Sequence, residues 1–193
     1  MAMEILYEDG DIIVVIKPRG VSSQSEKGFE EDMVSLLKKH IGRDAYIGVI
    51  HRLDKPVYGI MVFGKNKKSA SLLSEDLKSK KIEKVYEVLV EGVPLENEGV
   101  FKDYIVQEKG DNISRLCEGK TSGAKEAVLN YKLISSENNI SRLRIELITG
   151  RHHQIRLQFS SRNHPIYGDY RYGNKEKGGI ALMCYSLEFI HPV

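Results

Sequence analysis

Beyond Val100 the chain reads as strand after strand, and that pattern limits the fold more than any other feature. Leu143, Ile145 and Leu147 alternate with Arg142, Arg144 and Glu146, so the segment 141–149 has one apolar and one charged face, as a half-buried strand requires. Segments near 100–107, 125–134 and 180–190 also read as strands, and only 152–161 interrupts them as a short helix. Strands without regular intervening helices cannot be wound into repeated β-α-β units. The sequence therefore predicts an α+β fold with a mixed, largely antiparallel β-sheet flanked by helices and loops. A length of 193 residues fits one domain spanning 1–193.

The first half adds a hairpin and two helices. Ile5-Leu6-Tyr7 and Ile12 to Ile16 flank Asp9-Gly10, a tight-turn pair, and Lys17-Pro18-Arg19-Gly20 stops the second strand. Met33, Leu36, Leu37 and Ile41 share one helical face within 30–41, and Gly42 stands where a helix ends. Tyr46 to Ile50 and Gly59 to Gly64 read as strands on either side of His51-Arg52-Leu53-Asp54-Lys55-Pro56, where the proline interrupts regular structure. A polar helix is expected at 67–80 and a strand at 84–91, with Tyr86, Val88 and Val90 on one face. Residues 107–123, rich in Gly, Lys, Asp and Ser, read as an excursion.

Composition removes several function classes. No apolar run approaches the roughly 20 residues of a membrane span, and acidic residues surround the short run Ile12–Ile16, so a cytoplasmic protein is expected. Cys117 and Cys184 are far apart and in no metal-ligand spacing. The chain lacks a glycine-rich phosphate loop followed by Lys-Ser/Thr, and a Gly-X-Ser-X-Gly elbow, which removes support for ATP-driven chemistry and serine hydrolysis. With 29 basic and 27 acidic residues the total charge is nearly balanced. Between Arg142 and Lys177, however, eight basic residues stand against three acids, a local field suited to a polyanion.

Three segments carry groups capable of chemistry. Asp54 in the His51–Asp54 turn can present a carboxylate from a rigid base, although an Asp before X-Pro is also ordinary turn chemistry. In Thr149-Gly150-Arg151-His152-His153-Gln154-Ile155-Arg156, Thr149 can cap a helix whose start and two arginines suit an anion. His152 and Arg156 would share a face of that helix. The paired histidines do not make a metal site, because no Glu or Asp lies within one turn to complete it. Tyr86 sits on an alternating strand, where a tyrosine is commonly part of a core or sheet surface.

Taken together and in order, these segments resemble the catalytic domain of the RluA family of pseudouridine synthases. The resemblance runs from Ile5-Leu6-Tyr7-Glu8-Asp9, Ile13-Val14-Val15 and Lys17-Pro18-X-Gly20 to His51-Arg52-Leu53-Asp54 with Gly59 and Lys65-Asn66. It continues through Lys84, Tyr86, Val90 and Gly92, then Thr149-Gly150-Arg151-X-His153-Gln154-Ile155-Arg156, and closes on His164-Pro165-Ile166-X-Gly168-Asp169 and Tyr172-Gly173. Two places depart from the pattern. Pro56-Val57-Tyr58 replaces the more usual Asp-Thr-Ser, and Leu182-Met183-Cys184 stands where Leu-His-Ala is common. Many relatives carry an N-terminal S4 RNA-binding domain, and the catalytic pattern here begins by Ile5, so none is expected.

The resemblance implies an RNA isomerase that flips a uridine from its stack, breaks the N1–C1′ bond and rejoins the base through C5. It gives Asp54 the catalytic role, through attack at C1′ or elimination at C2′, and makes Arg156 the partner that favours its ionised form. Tyr86 would stack on the uracil with its hydroxyl near the sugar, as a general base. Arg52 would fill the gap left by the flipped base, and Arg151, His153 and Lys17 are further RNA contacts. The expected partner is structured RNA, ribosomal or transfer, met by a monomer with no cofactor and no metal. Two other readings stand beside it. One is a catalytically silent RNA-binding module, which would not need the set Asp54, Tyr86 and Arg156. The other is a glycoside or nucleoside hydrolase, which usually needs two carboxylates.

Overall fold

The computed structural model describes residues 3–25, 31–108, 113–173 and 179–193. The chain divides into two compact units, one formed by Met1–Glu83 with Cys184–Val193 and the other by Lys84–Met183.

The first unit begins with the expected hairpin, β1 (Glu4–Glu8) and β2 (Ile12–Lys17). Asp9 fixes the turn, because its Oδ1 accepts the backbone N–H of both Asp11 and Ile12 at 2.8 Å. Helix α1 (Met33–Ile41) starts three residues later than 30, where Asp32 and Ser35 cap each other reciprocally, and it ends at Gly42 with φ 145°. Of the expected strand at 46–50 only β3 (Gly48–Val49) forms, paired with β4 (Tyr58–Gly64). β4 also pairs antiparallel with β2.

Helix α2 (Lys67–Lys78) is capped by Asn66, whose side chain accepts from Ser69 N. It lies very close to β3 and β4, since a Cβ on Gly48 would come within 2.4 Å of Ala70 Cβ, and one on Gly64 within 2.7 Å of Ala70 N. Two glycines facing one alanine bring Ala70 and Leu73 onto Ile12, Ile50, Val62 and Ile82, the apolar core of this unit.

In the second unit β5 (Glu83–Glu91), β6 (Glu98–Gln107), β7 (Ser114–Cys117), β8 (Lys125–Glu137) and β9 (Ile140–Leu147) follow the spatial order β5-β9-β8-β6-β7, and each neighbouring pair is antiparallel. The segment read as an excursion thus holds a strand, with β7 folding back on β6, and its residues 109–112 lie outside the described ones. Helix α3 (Gln154–Ser160) is shorter than 152–161 and covers Ile105 and Ala127 with Leu157. Phe159 packs edge-on to Phe101 and Tyr131, with ring centroids 5.0 and 6.0 Å away.

The last strand, β10 (Leu182–Glu188), lies beside β4 from Cys184 on. The close approach depends on Gly59, at φ 136°, where a Cβ would sit 2.4 Å from the Cys184 carbonyl oxygen. The largely antiparallel strands, with three helices among the described residues, are the α+β class that the alternation predicted. Among the described residues no helix is long and apolar enough to cross a membrane.

Candidate active site

Asp54 lies in the loop between β3 and β4, where burial alternates again after the adjacent buried pair Ile50 and His51 shifts its phase from that of β3. His51 and Leu53 are buried, Arg52 is exposed and Asp54 is half-buried. The chain turns directly after Asp54, with Val57 N donating to the Asp54 carbonyl at 2.9 Å. Buried backbone in such a loop has no strand to pair with, so its polar groups need other partners. His51 Nε2 accepts from Val62 N at 3.3 Å. Leu53 is bracketed by one hydroxyl: Ser23 Oγ accepts from Leu53 N at 3.0 Å and donates to Leu53 O at 2.8 Å. The Lys55 carbonyl accepts from Gly20 N at 2.8 Å and from Lys17 Nζ at 3.1 Å.

Lys17 is fully buried, and its ammonium also donates to the carbonyls of Pro18 at 2.9 Å and Val21 at 2.7 Å. Its three protons therefore meet three backbone oxygens. Burial lowers its pKa from 10.5 to about 8, against the opposing attraction of the Asp54 charge. Lys17 was expected as an RNA contact; within the protein its ammonium is engaged by backbone carbonyls. Its head group points into the protein and ties the 17–21 segment to the Asp54 loop.

Four other residues of interest belong to the second unit. Tyr86 is central in β5, 5% exposed, opposite Ile145 of β9. Arg156 on α3 is buried and held in a two-bond fork, with Nε donating to Asp169 Oδ2 at 2.8 Å and Nη2 to Asp169 Oδ1 at 2.7 Å. Its guanidinium carbon also stands 5.2 Å from the Tyr172 ring centroid. His153 is buried too. Its Nδ1 shares a hydrogen bond of 2.9 Å with the Tyr172 hydroxyl, and its ring stacks on His152 at 3.7 Å. His153, expected as an RNA contact, is held inside the second unit by this bond to Tyr172. Arg151 is half-buried, with Nε donating to the Glu126 carbonyl at 2.8 Å.

The start of α3 differs from the sequence expectation. His153 takes a left-handed conformation, φ 55°, and gives no side-chain cap. Thr149 does not cap the helix but ties the loop to β8 and α3, accepting from Val128 N and donating to Gln154 Oε1, both at 2.8 Å. His152 consequently lies outside the helix and does not share a helical face with Arg156.

The basic stretch 142–177 is also less open than its count suggests. Arg142 pairs with Glu87 and Arg162 with Asp103, both acids from outside the stretch, while Arg156 pairs with Asp169. Residues 174–178 lie outside the described ones. Sequence reasoning gave no role to Ser23, Asp169 or Tyr172. The last two stood in a quoted motif that could have marked them, whereas Ser23 had no signal. Among the described residues no three His, Cys, Asp or Glu side chains come together as metal ligands.

Residues 11–161 match the family model described as RNA pseudouridylate synthase. The chain is 34% identical to the ribosomal large subunit pseudouridine synthase C of Rickettsia bellii, over 97% of this chain and 61% of the relative. It is equally identical to an uncharacterized RNA pseudouridine synthase of Aquifex aeolicus, over 98% of this chain and 66% of that one. The chain spans about three-fifths of the length of several curated relatives it matches. Among solved structures, human RNA pseudouridylate synthase domain containing 4 superposes with a TM-score of 0.80 at 23% identity, covering 96% of this chain and 84% of that one. The human domain containing 1 protein gives 0.77 at 21%, covering 96% and 77%. These two show the fold.

Proposed function

The chain belongs to the RNA pseudouridylate synthase family, and from that premise we propose that it isomerises uridine to pseudouridine in structured RNA, with Asp54 as the essential carboxylate. One observation carries the reading. The family match covers His51–Asp54, and there the protein fixes the backbone on both sides of Asp54, through Ser23 at Leu53 and through Lys17 and Gly20 at Lys55, while leaving the Asp54 side chain half-buried. A reacting carboxylate needs such a base, because small misplacements are costly in rate.

In this reading the two units form one catalytic domain. The target uridine leaves its stack, and RNA contacts offset that cost. Exposed Arg52 fills the vacated space, and Arg151 adds a phosphate contact. Tyr86 stacks on the uracil and its hydroxyl serves the proton transfer at C5. Arg156, held by Asp169, favours the ionised Asp54. N1–C1′ cleavage, turning of the base and C5–C1′ bonding conserve all atoms, so the isomerisation draws on no redox cofactor and no energy source. The substrate is a ribosomal or transfer RNA. The printed names of several relatives point to the large ribosomal subunit. A cytoplasmic, monomeric enzyme belongs to the same reading.

The test is pseudouridine mapping in RNA from cells lacking the protein, followed by single-turnover assays on the RNA so identified. Asp54→Asn is expected to stay folded, bind that RNA and form no pseudouridine. A folded Asp54→Asn protein working at near wild-type rate refutes the mechanism. Wild-type protein that binds RNA and isomerises no uridine establishes a binding module instead.

A further inference from the structure

We propose that Ser23 is a positioning residue for Asp54, acting through the peptide groups of Leu53; this rests on the reading of Asp54 as the reacting carboxylate. Leu53 is buried and lies outside both strands, between the end of β3 at Val49 and the start of β4 at Tyr58. A single hydroxyl does the work of a neighbouring strand. Ser23 Oγ takes the Leu53 N–H at 3.0 Å and gives its own proton to the Leu53 carbonyl at 2.8 Å. The Met61 sulfur, 3.5 Å away, is the weaker acceptor for that one proton. Held on both its N–H and its C=O, Leu53 has its φ and ψ fixed, and these set the direction in which the chain enters Asp54.

Ser23 is itself on an anchored segment. The Val21 carbonyl accepts from Lys17 Nζ at 2.7 Å and the Ser22 carbonyl from Met33 N at 2.9 Å. Ser25 N donates to Asp32 Oδ2, on the residue that caps α1 through its other oxygen to Ser35 N. Ser23 is 4% exposed, so no water replaces its hydroxyl readily. The chain of contacts runs from the capped end of α1, through Ser22 and Ser23, to Leu53 and the carboxylate. All of it lies within the first unit.

The test compares Ser23→Ala, Ser23→Thr and Ser23→Val with wild type and Asp54→Asn. Single-turnover rate at saturating enzyme, RNA affinity and melting temperature are measured for each, with rates taken well below melting. Thr and Val match in shape and differ in the hydroxyl, so this pair decides even if Ala fails to fold. The expected result is a chemical step slowed about tenfold to a hundredfold in Ala and Val, RNA affinity within twofold of wild type, and Thr clearly faster than Val. A purely structural serine would lower the melting temperature while leaving the rate of the folded protein unchanged, and that outcome overturns the proposal. So does an equal rate for Thr and Val, or a loss of affinity that matches the loss of rate. Asp54→Asn separates the two layers. If it is inactive while the Ser23 variants run at full rate, only the positioning role fails. If it is active, the reading of Asp54 fails first.

Discussion

Replacing Lys17 by methionine sets two effects of opposite sign against each other, and pH tells them apart. The substitution removes the donor to the Pro18 and Val21 carbonyls, while Lys55 O keeps Gly20 N. Two oxygens, one buried and one partly buried, left without that donor cost about 1–3 kcal/mol each. Against this, the wild-type protein keeps an ammonium where its folded pKa is about 8 instead of 10.5, which at neutral pH disfavours folding by about 3 kcal/mol. The lost hydrogen bonds, about 2–6 kcal/mol together, bracket the relief, so Lys17→Met is expected to lie between about 1 kcal/mol stabilising and about 3 kcal/mol destabilising at pH 7. Because the folded pKa lies below the unfolded one, the unfolded chain binds more protons between about pH 8 and 10.5, and this contribution to stability rises with pH. Methionine has no such dependence. Between pH 7 and pH 9 the stability of wild type relative to Lys17→Met is expected to grow by about 1 kcal/mol. Urea unfolding of both proteins at pH 7, 8 and 9 measures it, and the other titrating groups cancel in the difference. A difference that is flat or shrinks with rising pH refutes the account of a buried, charged Lys17.

Further outcomes follow from the same geometry. Asp169→Asn leaves buried Arg156 without its ionic fork and is expected to cost about 3–5 kcal/mol, read from denaturant midpoints, with a slower isomerisation in the protein that remains folded. Tyr86→Phe keeps the ring and loses the hydroxyl, and Tyr86→Leu loses both functions. Single-turnover assays should find both slow, and a Phe variant as fast as wild type would leave only stacking to Tyr86. RNA affinity should fall steeply with salt, since phosphate contacts release counterions. With Arg142, Arg156 and Arg162 already paired to acids, the slope of log affinity against log salt should reflect fewer contacts than the eight basic residues of 142–177 would give. Titration across several salt concentrations checks this, and a slope matching all eight would contradict the pairing.

The fold was readable where period and punctuation agreed. Alternation placed β5 and β9, and Asp9-Gly10 placed the first hairpin, because side-chain direction in a strand is a local property. The starts of the helices were less readable. The first helix begins at the Asp32 cap and not at 30, and the third begins after His153, whose left-handed backbone no pattern announces. The motifs marked Asp54, Tyr86 and Arg156 as chemically important. They did not show that Lys17 and His153 point inward. That depends on long-range contacts, namely Lys17 with Lys55 O and His153 with Tyr172. Ser23 was silent for the same reason, since its partner lies thirty residues away.

The division of the chain also has a temporal side. The unit that carries Asp54 is built from residues 1–83 and the ten residues 184–193. Leu187 and Phe189 pack against its apolar core, and His191 Nε2 bonds Asp9 Oδ2 at 2.9 Å. On the ribosome the residues of the second unit all emerge before Cys184. The usual order, in which the amino-terminal part folds first, is therefore inverted. The unit that holds the Asp54 loop is begun first and completed last, because Cys184, whose backbone Gly59 accommodates, is among the final residues made.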